Sequence, residues 1–306
     1  MTYPIVITGA SGWFGRTALS TYEYLYGPEA IRRNIKAYAS SQKSIDFGSP
    51  HGPIIAEPLE AVVDLPQPFA ILHLAFLTRD KVSSTGFDKY VSTNKWITSQ
   101  IIHLITKYPN TPIISISSGA ASVYDHSQLD LENDPYGTLK KTEENLILSH
   151  SISRLTVLLR VYGATGRFIV APHRFAIGSF LLQAISNGPV TIESKIPVWR
   201  SYIDVACLMT YSFSLMHDRT RTDKLKINAC TDIVSLLDLA RMITSEFNLP
   251  SPIHSFESAK SSDIYTADPA PFLAELFRYN ITPTLIQDQI TTTYKGVSEF
   301  PNNKCA

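Results

Sequence analysis

Short apolar runs alternate with amphipathic or turn-rich stretches through the first half of the chain. The runs PIVIT (4–8), NIKAYAS (34–40), GPIIAE (52–57), AILHLA (70–75), PIISISS (112–118) and LTVLLRV (155–161) have the length and β-branched content of strands. Their positions are nearly all apolar, as expected of strands covered on both faces by helices. The pattern predicts an α/β fold with a doubly wound parallel sheet and right-handed crossovers. In such sheets ligands bind at the carboxyl ends of the strands. Near residue 162 the rhythm gives way to the turn-rich YGATGRFIVAPHRF and then to a helical stretch, AIGSFLLQAISNG. A smaller C-terminal lobe is therefore expected, made of 162–204 and 231–306, with 1–161 as the sheet domain and 205–230 returning to it. Within these segments KLKINAC (224–230) reads as a strand. SLLDLARMITSEF (235–247) reads as an amphipathic helix with Leu236, Leu239, Ala240 and Ile243 on one face.

Behind the first apolar run stands TGASGWFG (8–15), with Gly9, Gly12 and Gly15 three apart. The stretch WFGRTALSTYEYL that follows carries Phe14, Ala18, Leu19, Tyr22 and Leu25 near helical spacing. A glycine turn between strand and helix lets backbone N–H groups approach a phosphate, and the helix adds the positive end of its dipole. The element predicts nucleotide binding.

Composition narrows the function further. The 306 residues carry no net charge, and the 27 basic residues are scattered rather than clustered, which argues against a nucleic-acid partner. The N-terminus MTYPIVITGASG lacks a basic lead with a long apolar core, and no stretch reaches the roughly eighteen apolar residues of a membrane span. A cytoplasmic protein without a membrane partner is expected. Cys207, Cys230 and Cys305 lack metal-type spacing and the eight histidines form no paired ligand motif, so reduced thiols and no metal are expected.

A second constellation lies in DPYGTLKKTEENLIL (134–148). Asp134 and Pro135 form a helix start, and Tyr136 and Lys140, four apart, share a helix face. A cation beside a phenol favours the phenolate and makes the pair a proton-transfer device. The strand PIISISS ends just upstream in Ser117 and Ser118, whose hydroxyls would meet a substrate oxygen at the sheet's carboxyl edge.

The glycine turn, the serines and the Tyr/Lys helix together resemble the extended short-chain dehydrogenase/reductase family, and most closely its nucleotide-sugar epimerase/dehydratase branch. Further segments agree: ILHLAFLTR (71–79), Asn94 in YVSTNKWITSQII, LLRVYGATG (158–166), PVWRSYIDVACL (197–208) and NACTDIVSLLDLA. The resemblance implies a Rossmann domain that holds NAD or NADP through Gly9, Ser11, Gly12, Trp13, Phe14, Gly15 and Arg16. Ser40, Ser41, Leu74, Ala75, Phe76 and Lys140 complete the expected cofactor contacts. It implies Tyr136 as acid/base, Lys140 on the nicotinamide ribose, a serine orienting the substrate, and Arg174 and Arg200 on the sugar nucleotide held by the C-terminal lobe. It also implies a homodimer through the helices YVSTNKWITSQIIHLI and YGTLKKTEENLIL.

The chain departs from the family at several points. SSGAASVY is longer than usual before Val123-Tyr124, so the catalytic hydroxyl is Ser118, Ser117 or Ser122, with Ser118 preferred. Gly119, Ala120 and Ala121 stand where 4,6-dehydratases carry an Asp-Glu pair, which disfavours that elimination. Glu57 is the nearest acid after the third strand, and Ala206-Cys207 replace an acidic pair. The second strand ends in YASSQKS, without the carboxylate that meets a ribose 2′-hydroxyl; Ser40, Ser41, Lys43 and Arg16 would instead surround a 2′-phosphate, which favours NADP over NAD. The expected activity is an NAD(P)-dependent epimerase or oxidoreductase of a nucleotide-activated sugar. The alternatives are an NADP-dependent 4-keto-sugar reductase and, from another class, a non-catalytic dinucleotide sensor.

Overall fold

The computed structural model describes residues 4–255 and 261–299. Two compact units form, one from Met1–Arg160 with Met209–Ile227, the other from Val161–Leu208 with Asn228–Ala306. The first unit contains β1 (Ile5–Thr8), α1 (Trp13–Tyr26), α2 (Pro28–Asn34), β2 (Ile35–Ala39), β3 (Lys43–Ile45), β4 (Ile54–Pro58), β5 (Ala70–His73) and α3 (Lys81–Thr85). It continues with α4 (Phe87–Lys107), β6 (Ile113–Ser118), α5 (Pro135–His150), β7 (Thr156–Val161), most of α7 (Val205–His217) and β11 (Lys224–Ala229). Eight strands make one sheet in the order β11-β7-β6-β5-β1-β2-β4-β3.

The predicted strands form with edges moved by one or two residues. Two features differ from the sequence pattern: Lys43–Ile45 is an additional strand, and it pairs antiparallel with β4 at the sheet's edge. A three-residue strand carries too little periodicity to be read from sequence; its partner selects it. Burial follows the apolar runs. Val6, Ile71, Ile113 and Leu158 from the strands pack with Ile97, Ile101, Leu104 and Ile105 of α4 and Ile147 of α5 in one core. β1 lies between β2 and β5, parallel to both, with Thr8 opposite Tyr38 on one side and His73 on the other. The chain runs from β1 to β2 and later crosses back to β5, so the strand order reverses at β1. The crevice beyond the carboxyl ends of β1 and β5 is the place where such sheets bind ligands.

The second unit holds β8 (Ala164–Thr165), α6 (Ala176–Ile185), β9 (Thr191–Ile192), β10 (Val198–Asp204), β12 (Asp232–Ser235), α8 (Leu236–Glu246), β13 (Ile253–His254), β14 (Asp263–Tyr265), α9 (Ala270–Arg278) and α10 (Ile286–Glu299). Strands β12-β10-β14 form a small sheet, and β13 pairs with β9. Its core joins Ile177, Phe180 and Leu181 of α6 to Leu239, Ala240 and Ile243 of α8 and to Ile286 and Ile290 of α10. The face predicted for α8 is the buried one, apart from the partly covered Leu236. Among the described residues no helix is long and apolar enough to cross a membrane.

Candidate active site

The three glycines of the first turn divide by what a side chain would meet. Gly9 has φ +67°, and a Cβ there would lie 2.7 Å from the Ala75 nitrogen. At Gly15 it would lie 2.3 Å from the Gly9 carbonyl oxygen and 2.4 Å from the Ala10 Cα. Both positions are fixed by the protein's own backbone: the loop after β5 rests on Gly9, and the first turn of α1 rests on the glycine turn. Gly12 is different. A Cβ there would make only an ordinary contact, 3.4 Å to the Gly9 oxygen. Gly12 is also the N-cap of α1, with no side-chain cap bond and no acidic residue in the first turn. The positive helix end thus carries neither a capping side chain nor an acidic residue where a phosphate would approach. This cradle fits a dinucleotide pyrophosphate. Trp13 is buried and packs edge-on to the Phe14 ring, 5.8 Å between centroids, which anchors the first turn of the helix.

The turn is also tied to the loop after β5. The Thr8 hydroxyl oxygen accepts from the Leu74 and Ala75 N–H groups at 3.1 and 3.3 Å. Asn94 pins the far end of the same loop, accepting from the Leu77 N–H at 2.8 Å and donating to its carbonyl at 3.3 Å. Tyr90 adds a bond from its hydroxyl to the Leu77 carbonyl at 2.9 Å. Leu74, Ala75 and Phe76 are thereby held beside the crevice at the switch point.

The three candidate serines separate by their partners. Ser117 is buried and donates to Glu144 Oε1 at 2.6 Å. Ser122 donates to the Gly119 carbonyl at 2.6 Å. Ser118, the last residue of β6, caps the 119–125 turn by accepting from the Ala120 N–H at 3.2 Å, and of the three serines it is the one whose hydroxyl favours the ionised form of the Tyr136 phenol. α5 begins as its sequence dictates, with Pro135 in the first turn and the Asp134 carboxylate accepting from the Gly137 N–H at 3.1 Å. Gly137 lets that helix end press on the serine turn, since a Cβ would stand 3.0 Å from the Tyr124 ring and 3.1 Å from the Ala120 oxygen. The Ser118 and Tyr136 side chains thus share one spot because α5 docks there.

Lys140 is 5% exposed and donates to the Ile116 carbonyl and to Glu143 Oε2, both at 2.9 Å. Its ammonium lies 3.8 Å from the Phe76 ring centroid, and the Phe76 and Tyr136 rings meet edge to face at 5.9 Å. Sequence reasoning expected Lys140 to ease ionisation of the phenol. Instead burial pushes the Tyr136 phenol above its ordinary value; Ser118 and Arg79 pull it down, while Glu143 and Asp134 push it further up. The physical reason is that the lysine charge is met by Glu143 within the protein. Arg79, whose guanidinium lies 5.4 Å from the Tyr136 ring and pairs with Asp134 at 3.3 Å, went unread in the sequence.

Glu143 belongs to a buried chain of hydrogen bonds that the sequence did not announce. Its Oε1 meets His73 Nε2 at 3.0 Å and accepts from Thr98 at 3.2 Å. His73 Nδ1 in turn meets the Thr8 hydroxyl at 2.7 Å. The Thr8 oxygen already accepts two backbone bonds, so its proton goes to Nδ1, which leaves the Nε2–H to donate to Glu143. Burial opposes ionisation of Glu143, yet Lys140 and His73 hold its carboxyl down to about 2.

The remaining predicted residues are spread more widely. Ser40 and Ser41 are exposed at the end of β2, where Lys43 donates to Ser40 at 3.3 Å and Arg16 Nε donates to the Asp46 carbonyl at 3.0 Å. These four basic and polar residues therefore border one loop. Arg200, in the second unit, is bound to Asp263 at 2.6 Å. Arg174 ends the short Pro172–Arg174 turn and is exposed. In the place of the acidic pair missing at Ala206-Cys207, Asp204 starts α7, accepting from the Cys207 N–H at 2.9 Å. Cys207 and Cys230 are buried free thiols; Cys305 lies outside the described residues. Among the described residues no group of three or more His, Cys, Asp or Glu is arranged to hold a metal.

No protein-family model and no curated protein matches the chain. Solved structures do. The chain is similar to MoeE5 in complex with UDP-glucose and NAD, at 20% identity and TM-score 0.70, over 97% of this chain and 99% of that one. It is similar to the UDP-glucose 4-epimerase of Thermotoga maritima with UDP-glucose, at 16% identity and TM-score 0.71, over 97% and 99%. The dTDP-glucose 4,6-dehydratase of Bacillus anthracis in complex with NAD follows at 12% identity and TM-score 0.72, over 99% and 98%. The likeness shows that the chain shares the fold of these structures along nearly its whole length.

Proposed function

We propose that the chain is a nicotinamide-dinucleotide-dependent enzyme acting on a nucleotide-activated sugar, with Tyr136 as the acid/base, Ser118 orienting the reacting oxygen and Lys140 holding the nicotinamide ribose. The observation that carries this reading is the docking of the helix start that bears Tyr136 on the Ser118 turn, where Gly137 closes on Tyr124 and Ala120 and Lys140 bonds the Ile116 carbonyl of β6, in the same unit as the open Gly12 cradle. The bound dinucleotide would supply hydride acceptance and donation. The phenol, held protonated by burial, would exchange its proton with a sugar hydroxyl or ketone, while Ser118 fixes that oxygen. Lys140 uses two of its three N–H donors within the protein, which leaves one for the ribose. That the similar structures hold UDP-glucose and NAD supports the same ligand classes here.

Epimerisation, in which the hydride returns to the opposite face, is the leading activity. A 4-keto-sugar reductase is the second reading, favoured by Arg16, Ser40 and Lys43 around the end of β2, where a 2′-phosphate of NADP would sit. Arg174 and Arg200 are assigned to the sugar nucleotide. A homodimer through α4 and α5, with Trp96 41% exposed on α4, completes the proposal, and light scattering at micromolar concentration tests it. The activity is tested by mixing the protein and NAD or NADP with UDP-, GDP-, CDP- and dTDP-sugars and following products by mass spectrometry and NMR. Conversion of one class is expected; binding of dinucleotide without conversion of any would favour the non-catalytic sensor.

A further inference from the structure

We infer that Glu143 is a positioning residue for the Tyr136/Lys140 pair: its carboxylate clamps the Lys140 ammonium to β6, ties it through His73 to Thr8 at the glycine turn, and sets the charge balance at the phenol. The inference rests on the proposed role of Tyr136 and Lys140. Its geometry is closed at every step. Leu74 and Ala75 N–H groups donate to Thr8, Thr8 to His73 Nδ1, His73 Nε2–H to Glu143 Oε1, and Lys140 to Glu143 Oε2. His73, Glu143 and Lys140 are 1%, 2% and 5% exposed, so bulk solvent contributes little to solvating the charges. A buried ammonium needs a counter-charge or it gives up its proton, and Glu143 is the carboxylate bonded to it. Burial is the main cause that opposes ionisation of the phenol, and the same carboxylate, two helical turns away, adds to it together with Asp134 and against Ser118 and Arg79; Tyr90 of α4 is a titratable neighbour as well. One group therefore gives the buried lysine its counter-charge and adds to the burial that opposes ionisation of the phenol. A protonated phenol is the form that donates a proton, and an ammonium the form that holds a ribose.

The test is a titration of the Tyr136 phenol in the full chain, read by NMR of ring-labelled tyrosine, with Tyr136→Phe identifying the signal. In Glu143→Gln, which keeps the shape and removes the charge, Tyr136 is expected to ionise on the order of one pH unit below wild type. Glu143→Asp, which keeps the charge, should restore most of that difference. A folded Glu143→Gln protein whose Tyr136 ionises at the same or higher pH, or fails to ionise before unfolding, overturns the inference, as does Glu143→Asp behaving like Gln. If Glu143→Gln does not fold, Glu143→Gln with Lys140→Met decides: restored folding shows that Glu143 serves Lys140, and continued failure shows that it serves the core alone. Neither readout involves turnover, so a failure here is distinguishable from a failure of the proposed activity.

Discussion

Gly12→Val separates binding from folding, because the structure assigns the three glycines of the turn different jobs. A Cβ at Gly12 makes one ordinary contact at 3.4 Å, and the residue's φ of −77° and ψ of 177° suit a β-branched side chain. The stability cost is limited to replacing glycine at a helix N-cap, about 1 kcal/mol or less. In the ligand's space the effect is large. The valine methyls would occupy the approach to the N–H groups of the first turn of α1, and hydrogen bonds to a charged group contribute about 1.5–3 kcal/mol each. Losing one or two removes roughly 2–5 kcal/mol, a fall in dinucleotide affinity of about 30-fold to several thousand-fold. Gly15→Ala is the contrasting control: its Cβ meets backbone atoms at 2.3–2.5 Å that cannot swing aside, so it should lose about 3 kcal/mol or more of stability. Thermal unfolding paired with calorimetric titration of NAD and NADP reads both quantities. Equal dinucleotide affinity in wild type and Gly12→Val would refute the cradle, and a normally stable Gly15→Ala would refute the packing.

Other outcomes follow from single contacts. Ser118→Ala should lower turnover well below that of Ser117→Ala or Ser122→Ala at matched folding, since the Ser117 and Ser122 hydroxyls donate to Glu144 and to the Gly119 carbonyl while Ser118 acts on the Tyr136 phenol; a Ser122→Ala enzyme far worse than Ser118→Ala would move the substrate oxygen to the other side of the turn. Arg16→Ala should weaken NADP more than NAD in calorimetry, and a clear wild-type preference for NAD would reject the 2′-phosphate reading of the loop after β2. Glu143 has its carboxyl lowered from 4.5 to about 2, so its contribution to stability is complete above about pH 4.5 and is lost as pH falls toward 2. Urea unfolding across that window should show a steeper loss in wild type than in Glu143→Gln, and equal slopes would contradict the pairing with Lys140 and His73.

The sheet was legible because its strands are short, apolar and spaced by helix-like segments, and the strand-to-helix glycine turn because glycine spacing reports backbone requirements directly. The division of labour among the glycines was not legible: it depends on Ala75 and Leu74, which lie more than sixty residues on and reach Gly9 only through strand pairing. The choice among Ser117, Ser118 and Ser122 likewise waits on the strand register that turns Ser117 toward Glu144 and on the docking of α5 at Gly137. The chain from Thr8 to Lys140 gathers residues from β1, β5 and α5. Its one sequence signal is Glu143, three residues beyond Lys140 and on the covered side of the helix. The small strands of the second unit are two to seven residues long, and tertiary pairing rather than local pattern selects them.

The most direct measurement of the proposed chemistry compares wild type and Tyr136→Phe on the sugar nucleotide that the wild type converts. The substitution keeps the ring against Phe76 and removes only the phenol hydroxyl. Turnover should fall by roughly 10² to 10⁴, the range for a general acid/base, with calorimetric dinucleotide affinity nearly unchanged. A Tyr136→Phe protein that turns over at near wild-type rate would contradict the assignment of Tyr136 as the proton-transfer group.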